Sequence, residues 1–70
     1  MNMIETMPTT GQFVVVHEFA GNIWGSTYKF EDTELSYFEE GTDEWTVVED
    51  FELHTSAIKI LGYIVLEAAE

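Results

Sequence analysis

Up to residue 49, every apolar run in this chain is too short for an ordinary helix, and each ends in turn-forming residues. Gln12 to Phe19 holds Phe13, Val14, Val15 and Val16, β-branched or aromatic side chains that suit a pleated surface. Ala20-Gly21-Asn22 follows, and Gly21 and Asn22 both tolerate positive φ, the requirement of a tight hairpin. Ile23 to Phe30 reads as a second strand. Period two puts Trp24, Ser26, Tyr28 and Phe30 on one face and Ile23, Gly25, Thr27 and Lys29 on the other. After Glu31-Asp32-Thr33-Glu34, a short third strand runs from Leu35 to Glu39, with Leu35 and Tyr37 opposed to Ser36 and Phe38. Glu40-Gly41-Thr42-Asp43 is a further hairpin turn, and Glu44 to Glu49 is the fourth strand.

The pattern predicts an all-β fold, an antiparallel β-meander of about five strands forming a curled sheet or small barrel. The fifth strand is Ala57 to Leu66, where Ile58, Ile60, Ile64 and Val65 are β-branched and Gly62 weakens a helix by about 1 kcal/mol. The alternative is an α+β fold with a C-terminal helix on a four-stranded sheet. Asp50 to Ser56 suits one helical turn, with Phe51 and Leu53 covering an open end of the sheet. Residues 1–11 read as a flexible N-terminal arm, and 12–70 as a single acidic β domain.

A chain of 70 residues buries only about 60% of the surface its unfolded form exposes. It has no cysteine, so neither a disulfide nor a thiolate zinc site can staple it. The last strand is apolar on both faces and needs cover on both. Either a second copy supplies that cover, which makes a homodimer the favoured expectation, or the sheet curls on itself as a monomer. The first residues carry no basic stretch before an apolar run, and no run is long enough to span a bilayer. A cytoplasmic location is expected.

Fourteen acids face two lysines and no arginine, for a net charge of −12. Disorder would require few apolar residues as well. Here 46% are hydrophobic and 14% aromatic, so a folded core must coexist with strong self-repulsion. Nucleic acid and anionic membrane are excluded as direct partners, because binding them needs a cationic footprint.

Ten of the acids lie in one stretch: Glu31, Asp32, Glu34, Glu39, Glu40, Asp43, Glu44, Glu49, Asp50 and Glu52. Their positions fall on turns and strand ends. A solvated coat would explain acidity, but not the near absence of cations. A Ca²⁺ or Mg²⁺ site at Glu39-Glu40-Gly41-Thr42-Asp43-Glu44 lacks the alternating ligand loop of an EF-hand. The favoured reading is an anionic surface displayed to a basic partner, with Trp45, bracketed by Glu44 and Glu49, as its aromatic anchor.

No phosphate-binding loop, nucleophile elbow or histidine pair at ligand spacing occurs, so neither an enzyme nor a cofactor is expected. His17 alternates with Phe13, Val15 and Phe19 and reads as structural; His54 reads as exposed. The aromatics Trp24, Tyr28, Phe30, Tyr37 and Trp45 read as core, since a base-stacking platform also needs a positive groove.

In size, in the acidic run from Glu31 to Glu52 and in its lack of arginine, the chain resembles the small acidic DNA-mimic inhibitors of bacteriophages and mobile elements. That resemblance is compositional and carries no functional residue across. It implies a DNA-binding bacterial target, such as gyrase or a restriction or CRISPR nuclease, met in the host cytoplasm. The alternative is an acidic interaction module whose basic partner is unrelated to DNA.

Overall fold

The computed structural model describes residues 3–67, leaving the first two residues of the predicted arm and the last three of the predicted domain outside. Five antiparallel strands form one sheet: β1 (Gly11–Phe19), β2 (Asn22–Glu31), β3 (Glu34–Glu39), β4 (Glu44–Val47) and β5 (Lys59–Glu67). The expected all-β meander is present, and the sheet stays open. Its order is β4-β3-β2-β1-β5. The chain thus walks outward from β1 to β4, then crosses one face through the short helix α1 (Phe51–His54) to pair β5 with β1. The last apolar segment is a strand, beginning at Lys59 rather than Ala57, while β4 ends at Val47 rather than Glu49.

Two hairpins have two-residue turns with positive φ at both central residues, the twist that matches the flanking strands. In the first these are Ala20 (φ 53) and Gly21 (φ 82). Asn22 is already in β2 opposite Phe19, which corrects the expected Gly21-Asn22 turn. In the second they are Asp32 (φ 51) and Thr33 (φ 65). A β-branched residue is strained in this region.

The side chains divide into a covered and an open face. Phe13, Val15, Tyr28, Leu35 and Tyr63 form the buried core on the covered face, and Phe13 and Val15 are wholly buried. Tyr28 is its centre. Its ring stacks on Phe13 at 6.0 Å and meets Tyr37, Phe51 and His54 at 5.8–5.9 Å. Such pairs contribute about 0.5–1.5 kcal/mol each beyond their burial.

Asp50 starts α1 by accepting the Leu53 N–H at 3.1 Å, an N-cap worth about 1 kcal/mol. The single turn then drops Phe51 onto the core, while Leu53 is 72% exposed. Leu53 therefore does not cover the sheet as expected; His54 does, through its contacts with Tyr28 and Tyr37.

The described part of the arm is tied to the domain. Ile4 exchanges both backbone hydrogen bonds with Tyr63, at 2.8 and 2.9 Å, on the outer edge of β5. Met7 packs against the core. A Cβ at Gly62 would lie 2.5 Å from Met3 Cγ, so the absent side chain is what lets the arm approach.

Candidate functional site

All ten acids of the central stretch are exposed. The meander sorts them by end, because successive turns fall on opposite sides of the sheet. Glu31, Asp32 and Glu34 surround the β2–β3 turn. The Val48 N–H donates to the Leu35 carbonyl at 2.8 Å, which brings the following Glu49 and Asp50 to that same lower end. Glu39, Glu40, Asp43 and Glu44 surround the β3–β4 turn at the upper end. The six residues of β3 separate the two groups by roughly 16 Å at 3.3 Å per residue. Glu52 stands apart, on α1.

Each group contains a directly opposed like-charge pair, Glu31 with Glu34 and Glu39 with Glu44. Opposed like charges on neighbouring strands destabilise by up to about 1 kcal/mol. By strand alternation, Glu31 and Glu34 are on the open face and Glu39 and Glu44 on the covered face. Glu39 is positioned further: one carboxylate oxygen accepts from the Tyr37 hydroxyl and from Thr46 Oγ1, both at 3.4 Å. In the upper loop the Thr42 N–H donates to the Glu39 carbonyl at 3.2 Å. Asp43 takes a positive φ of 56°, a conformation aspartate tolerates well. Asp50 is committed to capping α1, so its carboxylate serves the fold first.

Trp45 is half-buried on the open face. Its ring meets Phe38 edge-on at 5.3 Å, and the Lys29 ammonium lies 4.6 Å from its centroid. This cation–π contact, worth about 0.5–1 kcal/mol, gives the ring a partner within the chain.

The exposed tryptophan is Trp24, at 53%, with Phe19 at 51% and Ile23 at 68% beside it. The sequence places Trp24 on one face with Tyr28 and Phe30, and reads it as core for want of the positive groove that base stacking needs. The face is right, but the cover is missing there. β1 and β2 have 9 and 10 residues against 6 in β3, so their hairpin tip outruns its neighbour. Continuing the β2–β3 register places Glu39 level with Ser26, one covered-face position below Trp24. An aromatic tip and four carboxylates thus share the upper end of the molecule. Unequal strand lengths, which are readable from turn positions, are the signal that would have found the tip.

The two histidines join the framework. His17 Nε2 lies 3.0 Å from Ser26 Oγ, and its buried Nδ1 has no protein partner. His54 Nε2 lies 2.9 Å from the Tyr28 hydroxyl. Burial, and the nearby Tyr37, push the Tyr28 pKa up to about 12 from 10.0. The folded chain thus holds the Tyr28 proton more tightly than the unfolded chain. Its contribution is complete below pH 10 and declines as pH rises from 10 to 12. An alkaline titration followed by far-UV circular dichroism is expected to show this decline, and Tyr28→Phe is expected to reduce it. An unchanged alkaline profile in that variant would assign the effect to other groups.

Among the described residues, no group of three or more His, Asp or Glu side chains is placed to hold a metal ion. No helix among them is long and apolar enough to cross a membrane. Comparison with protein families, curated protein sequences and solved structures finds no match for this chain.

Proposed function

We propose that this chain is a DNA-mimic inhibitor, which occupies the DNA-binding surface of a bacterial DNA-processing protein through its exposed carboxylates. The observation that carries this reading is the pair of opposed glutamates at each end of β3. Each opposed pair destabilises the free chain, and a cationic partner surface relieves the repulsion. Hairpin backbones hold these charges in place, so little ordering is needed on binding. The field of a −12 molecule adds long-range steering toward a basic cleft. Trp24, 53% exposed, supplies a contact of the type that dominates interface energetics, in place of the half-buried Trp45. The chain acts by occupancy and needs no catalytic residue or cofactor.

One feature favours the second reading, an acidic module for a basic protein unrelated to DNA. The carboxylates form two separated groups on opposite faces rather than one continuous row, whereas a duplex carries charge at every step. Competition separates the two readings. The chain is immobilised and loaded with purified gyrase or a restriction nuclease, and duplex DNA is then titrated in. Displacement by duplex, together with weakening as salt rises, is the expected result. A target that binds but is not displaced by excess duplex sinks the mimic reading and leaves the second.

A further inference from the structure

We infer that the open face of the sheet is the interface of a homodimer, in which two copies pack face to face as a β-sandwich. The covered face has its own lid in Phe51, His54 and Met7. The open face has no element packed across it among the described residues, and Met3 stands against Gly62 on its border strand. By register it carries Val14, Val16, Thr27 and Ile64 across its middle. Ile23, 68% exposed, and Val47, 48% exposed, lie nearer its ends.

Charge on this face argues for a second copy over a basic partner. Its described carboxylates, Glu18, Glu31 and Glu34, stand at strand ends, and none interrupts the middle. Both lysines, Lys29 and Lys59, belong to it. A basic protein is drawn to the acidic turns instead. A second copy meets an apolar centre with its own few cations near the other copy's rim acids, while the upper acidic turn stays in solvent.

Size is adequate. The two longer axes of the molecule are 36 and 28 Å, room for the roughly 800 Å² per partner that a standard stable interface buries. Two sheets stacked about 10 Å apart make a sandwich core. That pairing supplies the burial a chain of 70 residues lacks on its own. The two-fold relation makes the interface self-complementary and closed.

Sedimentation velocity on the full chain, in enough salt to screen the acids, tests the inference. The expected species has twice the 8.0 kDa chain mass. Val16→Glu places a carboxylate in the middle of the face and is expected to raise the dissociation constant by at least about a hundredfold. Should Val16→Glu fail to fold, the double variant Ile23→Glu/Val47→Glu carries the test, because both side chains are exposed in the single chain. It is expected to keep the parent circular dichroism spectrum and sediment as a monomer. A parent that stays monomeric at millimolar concentration overturns the inference. So does a double variant that dimerises as well as the parent. Charge reversal confined to the upper acidic turn, Glu39, Glu40, Asp43 and Glu44, is expected to leave dimerisation intact, so failure here and failure of the inhibitor reading are separable.

Discussion

Replacing Phe13 by alanine is expected to remove most of the stability of this chain. Phe13 is wholly buried, stacks on Tyr28 and meets Tyr63 edge-on at 6.0 Å. Deleting a buried phenylalanine ring costs about 3–5 kcal/mol, part of it from the cavity left behind. A domain of 70 residues has roughly 4–10 kcal/mol in total. The ring also spans three strands: its cross-strand partner Tyr28 is on β2 and Tyr63 is on β5. Collapse of the site is resisted from both sides, which favours the upper end of that range. The expected readout is a fall of more than about 12 °C in melting temperature, or an unfolded spectrum at 25 °C. Phe19→Ala is the control. Its side chain is 51% exposed at the hairpin tip, and its loss is expected to change stability by less than about 1 kcal/mol. Equal melting of the two variants would mean that the core is not centred on the covered face.

Reversing the upper acidic turn is expected to have the largest effect on binding. The variant Glu39→Lys, Glu40→Lys, Asp43→Lys and Glu44→Lys converts four negative charges to positive and moves the net charge from −12 to −4. Individual rim charges contribute little. Four reversals in one loop change the sign of the local field, turning attraction to a basic surface into repulsion. Affinity for the basic target is expected to drop at least a hundredfold, mostly through slower association. The fold itself is expected to tolerate the change. The side chains are exposed, and removing the opposed Glu39–Glu44 pair merely replaces one like-charge pair with another. The weak Tyr37 and Thr46 contacts to Glu39 are lost, while lower overall repulsion offsets them. Surface plasmon resonance against the target, paired with a thermal melt, checks both halves. Parent-like binding by a folded quadruple variant would move the interface to the lower group around Glu31 and Glu34.

The strands were legible because their chemistry is local. Val14-Val15-Val16 and the alternation of Trp24, Tyr28 and Phe30 with Thr27 and Lys29 require no knowledge of distant partners. The turn at Ala20 was not legible. Alanine has no intrinsic preference for positive φ, and the hairpin holds it at 53° because strand register demands it. Leu53 and His54 are adjacent, and which one faces the sheet depends on where Asp50 caps a single turn. The acids were legible as residues but not as a surface. One continuous stretch of sequence becomes two groups because the meander reverses direction between turns. The exposure of Trp24 likewise depends on where β3 stops, not on tryptophan itself. The return of β5 to the side of β1 is a tertiary choice that no local pattern encodes.

The Ile4–Tyr63 bridge bears on what happens when many copies meet. An unpaired strand border is a template on which further strands can add without limit. On β5 the chain spends its own arm as a terminator, satisfying the Tyr63 amide and carbonyl that a foreign strand would seek. On the opposite border β4 is four residues long and begins at Glu44, so a growing filament would meet a short, charged stub. Both ends of the sheet are blunted against polymerisation, and self-association is directed away from filament growth.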